Sequence, residues 1–329
     1  MTPMMQQYCK TKEEYKDCIL FYRLGDFYEM FFEDALTASK ELEITLTGKD
    51  CGMEERAPMC GIPYHAYENY MNRLVEKGYK VAICEQVEDP KTAKGIVKRE
   101  VIQIVTPGTN MSANSFNETK NNYLMSIYRG EHYGISFADI TTGDFFTTEV
   151  DRFSKVMDEI SKFAPVEILI NEAVTEKEDG EHMARLEQLH DKEHTMVTMV
   201  SVMEDWYYES EMDERLIKEQ FHVMNLEGLG LKDLSDASCS VGCLIYYLKD
   251  TQKGCVDHIN HISTYHVEDY VVLDSASRRN LELCETMRDK NKRGSLLWVL
   301  DKTKTAMGAR TLRAMVEQPC IRKDRIEER

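Results

Sequence analysis

The sequence predicts a mixed α/β protein, and three observations support this fold class. Short apolar runs typical of strands alternate with helical spacing over about the first 105 residues. Three strand patterns separated by hairpin-length turns follow between residues 123 and 150. From residue 235 onward the spacing of apolar residues is mostly helical. A chain of 329 residues also exceeds what one hydrophobic core commonly supports, so we expect two or three domains.

The first predicted domain covers residues 1–110 and is a small α/β domain. The Gly25-Asp26 turn separates an apolar strand pattern from a run whose apolar residues recur about every fourth position, which favours a helix. A second helix is closed by Gly78. The predicted elements are a helix start at 11–17, a strand at 18–22, a helix after the Gly25-Asp26 turn, a loop at 45–52, a helix at 71–77 and strands at 81–84 and 101–105.

The second predicted domain covers residues 111–250. The segment that leads into it, residues 106–119, has the turn-forming and polar composition of a linker. Three antiparallel strands, a helix and a buried strand then follow in an order that resembles a ribonuclease-H-like sheet. These elements are predicted at 123–128, 133–139, 144–150, 152–163 and 166–170.

The third predicted region, residues 251–329, is all-α, and a long helix at 235–249 leads into it. Amphipathic helices are predicted at 275–284 and 305–316. The last residues are charged and favour a helix, with no closing Gly or Pro, so we expect this region to be truncated.

The charge balance counts against nucleic acid at first, because the net charge is −17 and affinity for DNA comes mostly from neutralising phosphates. The acidity is concentrated in residues 111–250, which carry 12 basic and 28 acidic residues. Residues 1–110 carry 14 and 18, and residues 251–329 carry 15 and 12. The middle segment is therefore better suited to linking domains or contacting a protein than to contacting phosphate.

The composition is that of a cytoplasmic protein. The longest apolar runs fall well short of the roughly 20 residues that a membrane-spanning helix needs. The N-terminus lacks the basic and apolar regions of a signal peptide. Ten cysteines without such a signal indicate free thiols in a reducing compartment.

Phe27 and Glu29, two residues apart after the Gly25-Asp26 turn, are the most informative pair in the chain. A phenylalanine can wedge into a base stack and kink a duplex, and a glutamate can accept a hydrogen bond from a base although phosphates repel it. The pair suggests a reader of damaged base pairing. The competing interpretation is a core aromatic residue beside an exposed helical glutamate.

Several motifs follow one another along the chain. They are ILFYRLGDFYEMF at 19–31, PMCGIPYHA at 58–66, AICEQ at 82–86 and IVTPGT at 104–109, with YVVLDSASRRNLE at 270–282 and TAMGARTL at 305–312 in the third region. The first four resemble the mismatch-recognition domain of the MutS family of bacterial DNA mismatch repair proteins. The resemblance extends into the second domain, which looks like the family's connector domain, and into the helices that begin its core or lever domain.

The resemblance implies specific DNA-binding residues. Phe27 matches the ring that stacks on the mispaired base from the minor groove, and Glu29 matches the carboxylate that hydrogen-bonds this base. Lys49, Arg56 and Met59 lie on the loop that borders the minor groove in the family, so Met59 would pack on a sugar and Arg56 would reach a phosphate. The competing interpretation of Arg56 is a solvated charge. A second phosphate candidate is the basic cluster of Lys91, Lys94, Lys98 and Arg99.

Two other patterns allow metal chemistry but favour simpler interpretations. Asp139 sits near a predicted strand end, where ribonuclease-H-type nucleases hold a metal ion, yet the sequence places no second carboxylate convincingly beside it. Two further groups have spacings that a metal could use, but buried thiols and surface histidines are the simpler interpretation. These groups are Cys239 with Cys243, and Cys255 with His258 and His261.

The resemblance implies a protein that detects mispaired or looped-out bases in bent DNA. The chain has no phosphate-binding loop of the form Gly, four residues, Gly-Lys-Ser/Thr, so we expect no enzyme activity and no cofactor here. Full-length members bind ATP and Mg²⁺, form homodimers and contact the partner MutL. The alternatives are a metal-dependent ribonuclease-H-like nuclease and a protein-interaction scaffold.

Overall fold

The computed structural model describes residues 1–88, 95–111, 120–175, 184–186, 198–254 and 256–329. The chain forms two compact units, each described by itself below. The first contains residues 1–115 and 247–256, and the second contains residues 116–246 and 257–329. Each unit has its own six-stranded mixed sheet, which confirms the mixed α/β class. Among the described residues, no helix is both long and apolar enough to cross a membrane.

The first unit is a sheet of strand order β3-β4-β2-β1-β5-β6 with helices on both faces. β1 and β5 are parallel and the other neighbours are antiparallel. Its strands are β1 (Cys18–Leu24), β2 (Phe27–Phe31), β3 (Thr47–Lys49), β4 (Ala57–Pro63), β5 (Lys80–Gln86) and β6 (Arg99–Val105). Its helices are α1 (Pro3–Glu14), α2 (Phe32–Leu42) and α3 (Tyr67–Glu76).

Helices α2 and α3 pack on one face of this sheet, where the alternate residues of the strands form one core. Helix α1 packs on the opposite face through Met5 and Tyr8, whose ring lies 4.9 Å from that of Phe31. Phe27, at the first position of β2, belongs to neither core cluster.

Several predicted elements of the first unit need correction. The first helix is Pro3–Glu14 rather than a start at 11–17, because Thr2 caps it and Pro3 takes the first helical position. Residues 27–31 form strand β2, and the helix begins only at Phe32. Strand β4 was not predicted, and β3 lies within the predicted loop 45–52. The described part of the predicted linker is packed, since Thr106 and Thr109 are buried and hydrogen-bonded to each other.

The second unit contains a sheet of order β11-β10-β7-β8-β9-β12. β7, β8 and β9 form the expected antiparallel meander, and β10 and β11 continue parallel to β7 on its other side. The strands are β7 (Leu124–Arg129), β8 (Tyr133–Asp139), β9 (Asp144–Val150), β10 (Glu167–Asn171), β11 (Met199–Met203) and β12 (Ser263–Thr264).

Helix α4 (Phe153–Phe163) covers one face of this second sheet, and its rings stack on those of the strands. Helix α6 (Ser235–Gln252) approaches β8 so closely that a Cβ on Gly134 would lie 1.9 Å from a backbone oxygen of the helix. The glycine is therefore required by packing. Further helices of this unit are α5 (Ser210–Phe221), α7 (Ser275–Asn280), α8 (Leu296–Leu300), α9 (Ala306–Glu317) and α10 (Lys323–Glu328).

Candidate nucleic-acid interface

Phe27 stands at the tip of a tight hairpin rather than in a core. β1 and β2 pair through Leu24 and Phe27, so Gly25 and Asp26 alone make the turn. Gly25 has φ +60°, a conformation that favours glycine at the first central position of a two-residue hairpin turn. The Phe27 side chain is 48% exposed. The simpler interpretation of Phe27 as a core residue is therefore wrong.

The hairpin tip is held by contacts with Arg23 and Tyr64. The Arg23 guanidinium donates a hydrogen bond of 2.5 Å to the Gly25 carbonyl oxygen and lies 3.8 Å from the centre of the Tyr64 ring. The Tyr64 backbone N–H donates to the Asp26 carbonyl oxygen at 3.0 Å. These three contacts fix the position from which Phe27 projects.

An open groove lies beside Phe27. Glu29 and Phe27 share a strand face because side chains alternate along a strand. Opposite Glu29 on β4 stands Gly61, which has no side chain to fill the space. Met59, one of the predicted contact residues, also borders this groove. The lining includes Phe27, Glu29, Ile44, Thr47, Met59 and Gly61.

Glu29 and Lys49, predicted separately as contact residues, are bonded to each other. The Lys49 Nζ donates to Glu29 Oε2 at 2.5 Å, and the side chains are 33% and 15% exposed. Nothing in the sequence predicted this pair, since the two residues are 20 positions apart and lie on β3 and β2 with β4 between them. The one indication in the sequence was that these two oppositely charged residues belong to the same predicted DNA-binding site.

The basic residues predicted to contact phosphates differ in whether they already have partners within the fold. Arg56 is exposed just before β4 and forms no ion pair with any residue that the structure describes. Arg99 is committed to the fold, since it donates to the Arg23 carbonyl oxygen and to Gln7 Oε1. Lys98 pairs with Glu100 at 2.5 Å. The Arg99 part of the second phosphate hypothesis is therefore corrected, and Lys91 and Lys94 lie outside the described residues.

Asp139, the nuclease candidate, is fully buried and organises a turn. Its two carboxylate oxygens accept hydrogen bonds from Asn121 Nδ2, from the backbone N–H of Asn122, and from the backbone N–H and Oγ1 of Thr141, at 2.6 to 2.9 Å. Asp144 stands opposite Asp139 and bonds the same Asn121 amide. A carboxylate with this many protein donors is a structural residue.

The cysteine and histidine candidates also have structural partners. Cys239 and Cys243 are buried on α6, and burial raises the pKa of each thiol to about 12. His258 Nε2 lies 2.7 Å from the Ile140 carbonyl oxygen, and His261 Nε2 lies 3.3 Å from Ser263 Oγ. Cys255 lies outside the described residues.

One group of possible metal ligands was not predicted. Within the described part of the chain, a single set of three such side chains comes together, formed by His132, Glu149 and Asp236. Glu149 Oε2 already accepts the backbone N–H groups of Asp236 and Ala237 at the start of α6. Asp236 Oδ2 accepts the His132 backbone N–H at 2.7 Å. These carboxylates hold the start of a helix, which favours a structural role.

Comparison with known proteins places this chain in a family. Family models match it as MutS domain I over residues 2–114, MutS domain II over 122–263 and MutS domain III over 276–329. The chain is 61% identical to the DNA mismatch repair protein MutS of Lachnoclostridium phytofermentans, with all of this chain and 34% of that protein aligned. It is 52% identical to the protein of the same name from Acetivibrio thermocellus, with all of this chain and 37% of that protein aligned.

The chain therefore belongs to the MutS family and corresponds to the N-terminal part of these relatives. It spans about a third of the length of the curated relatives it matches.

Proposed function

We propose that this chain is the mismatch-sensing part of a DNA mismatch repair protein. Phe27 inserts at a mispaired or looped-out base in bent double-stranded DNA, and Glu29 accepts a hydrogen bond from that base. The proposal rests on the family membership and on one structural observation. This observation is a half-exposed phenyl ring at the tip of a braced two-residue hairpin, with an open groove beside it.

The physical chemistry of such a wedge selects weak places in a duplex. Stacking a base on an aromatic ring contributes about 1 to 3 kcal/mol and depends little on which base it is. Opening a base step costs a few kcal/mol, and least where the base is mispaired or unpaired. The net free energy of insertion is therefore most favourable at a defect. Glu29 adds selectivity, because a carboxylate in the groove is tolerated where a base offers it a proton.

Neighbouring groups have supporting roles in this proposal. Met59, which borders the groove, packs against a sugar, and the exposed Arg56 reaches a phosphate. Domain limits of 1–110, 111–250 and 251–329 remain our prediction, with the acidic middle domain carrying protein contacts.

The remaining steps of repair belong to the longer protein. The chain lacks the Gly, four residues, Gly-Lys-Ser/Thr string, so its residues do not fit a nucleotide phosphate site of that type. We assign ATP and Mg²⁺ binding, and homodimer formation, to the full-length cytoplasmic protein, and no enzymatic step to this chain. The sensed state is relayed to that ATPase and to the partner MutL.

The nuclease alternative is not favoured. Two-metal hydrolysis needs converging carboxylates with free oxygens, and Asp139 uses both of its oxygens on protein donors. Incubation of the chain with DNA and Mg²⁺ or Mn²⁺ is expected to give no cleavage.

The decisive experiment measures DNA binding by the full-length protein and its Phe27→Ala variant. Fluorescence anisotropy at two salt concentrations would compare matched duplex with duplexes carrying a G·T pair or a one-base bulge. Loss of a stacking contact of about 1 to 3 kcal/mol predicts a loss of mismatch affinity between about 5-fold and 150-fold. Affinity for matched duplex should change little, because it depends mainly on phosphate contacts.

Ile102→Ala is the matched control for this experiment. Ile102 is 45% exposed on the edge strand β6, three strands away from β2 in the same sheet, so its truncation removes a similarly exposed apolar side chain. Full mismatch preference in Phe27→Ala would refute the assignment of the wedge. Equal binding of matched and mismatched duplex by the unaltered protein would favour an interaction scaffold instead.

A further inference from the structure

The ion pair between Glu29 and Lys49 leaves half of the carboxylate free. Lys49 Nζ bonds Glu29 Oε2, and among the described residues no group donates a hydrogen bond to Oε1. Lys49 belongs to β3 and Glu29 to β2, so the pair spans β4. Strands two places apart are about 10 Å from each other, a distance that only a long side chain such as lysine bridges.

The ion pair runs diagonally across β4, because on that strand Lys49 pairs with Ala57 and Glu29 pairs with Gly61. The Lys49 Nζ is also 5.7 Å from the centre of the Phe31 ring, which contributes a weak cation–π attraction. Lys49 is thus directed along the sheet surface toward Glu29.

A charge argument gives the pair a function. An uncompensated carboxylate beside the DNA-inserting residue would be repelled by the phosphates on both sides of the groove. A lysine bonded to it cancels most of this repulsion while leaving one oxygen available as an acceptor.

We propose that Lys49 is a positioning residue for Glu29, an inference that rests on the proposed function. Lys49 holds Oε2 and neutralises the carboxylate, so that Oε1 is the oxygen presented to an N–H group on the minor-groove edge of a mispaired or unpaired base. Lys49 therefore acts through Glu29 and does not itself contact a phosphate. Its effect on DNA affinity depends on the presence of the Glu29 charge.

The first test needs no DNA. Nuclear magnetic resonance of the Lys49 ammonium group, assigned by its absence in Lys49→Gln, reports whether Nζ is held by an acceptor. We expect a signal protected from exchange with water in the unaltered chain and faster exchange in Glu29→Gln. Equal exchange in the two proteins would show that the pair is not formed in solution, and the proposal would fail.

The second test is a double-mutant cycle on the full-length protein, with a one-base-bulge duplex and a matched duplex as probes. Lys49→Gln alone should weaken binding of both duplexes at least fivefold, because it leaves the Glu29 charge facing phosphates. In the Glu29→Gln background the same change should alter affinity less than twofold. The Glu29→Gln background therefore separates an effect on Glu29 from a direct contact with DNA.

Arg56→Gln is the matched control, because Arg56 is exposed and without an ion pair in the described part of the chain. A direct phosphate contact predicts the same loss in both backgrounds and a salt-dependence slope reduced by about 0.9. Such additive behaviour of Lys49, or no effect in either background, would overturn the proposal. Phe27→Ala distinguishes a failure of the Lys49 proposal from a failure of the proposed function, because retained mismatch preference in that variant would refute the proposed function itself.

Discussion

We expect the buried carboxyl group of Asp213 to make the stability of the second unit depend on pH. Asp213 lies on α5, is 2% exposed, and its Oδ2 has no hydrogen-bond partner among the described residues. It faces Gly242 of α6, where an added Cβ would lie 2.1 Å from Oδ1. Burial raises the pKa of Asp213 to about 8, opposed by a hydrogen bond with the Cys239 thiol and reinforced by the charge of Glu209.

The sign of the pH effect follows from this raised pKa. In the unfolded chain the group titrates near 3.8, so between about pH 4 and pH 8 the folded chain holds a proton that the unfolded chain has lost. The free energy of unfolding therefore falls as pH rises through this window. Each pH unit within it removes about 1.4 kcal/mol, so the contribution falls by about 3 kcal/mol between pH 5 and pH 7.

Asp213→Asn tests this reasoning, because the amide has the same shape and cannot ionise. Urea unfolding at pH 5, 6, 7 and 8 should show the variant gaining stability relative to the unaltered chain as pH rises. Tryptophan fluorescence is the appropriate signal, since both tryptophans, Trp206 and Trp298, lie in the second unit. Asp233→Asn, at an exposed aspartate, is the control and should leave the pH dependence unchanged. Parallel curves for Asp213→Asn and the unaltered chain would refute the argument.

Three further substitutions test the packing by urea unfolding. Gly134→Ala should lower the free energy of unfolding by about 3 kcal/mol or more, because its Cβ would meet the backbone of α6. Gly228→Ala is the control and should have no such effect, because a Cβ there would meet nothing within 4 Å. Equal effects of the two substitutions would contradict the fold of the second unit. Gly25→Ala should cost about 1 to 2 kcal/mol through its positive φ alone, and no cost would mean a different turn. Lys162→Met should lower the free energy of unfolding by about 3 to 5 kcal/mol, because it leaves the buried Glu159 carboxylate without its cation. A decrease of less than about 1 kcal/mol would indicate that this ion pair is exposed to solvent.

The spacing of apolar residues correctly predicted those helices and strands that keep one pattern of burial along their whole length. Strands β7, β8 and β9 and helix α4 were predicted within a residue or two, because their apolar residues recur at the spacing of one element type over its whole length. The start of α1 was missed although Thr2 and Pro3 are a usual beginning for a helix. The prediction placed the helix start in the polar stretch at 11–17, which overlaps only the C-terminal end of α1.

Strand β2 shows why the candidate site was harder to predict than the core. Residues 27–31 have no alternation of apolar and polar side chains that distinguishes a strand from a helix start, and their conformation is fixed by pairing with β1 and β4. The Glu29–Lys49 pair depends on the same strand pairing, because β4 lies between the strands that carry the two residues. The motif supplied the residue types, and the sheet supplied their arrangement.

The mounting of Phe27 has a mechanical consequence under the proposed function. A wedge deforms a duplex only if the wedge itself is stiffer than the base step that it opens. The hairpin tip is paired with β4 and held by Arg23 and Tyr64, and under the proposed function this mounting would direct the energy of insertion into the DNA. Mispairing nevertheless changes such an interaction by only about 1 to 3 kcal/mol, or up to roughly 150-fold in affinity. This factor is too small to select rare defects among a genome of matched steps. Under the proposed function, Phe27 would therefore report how readily DNA deforms, and the selectivity that repair requires would need further steps in the longer protein.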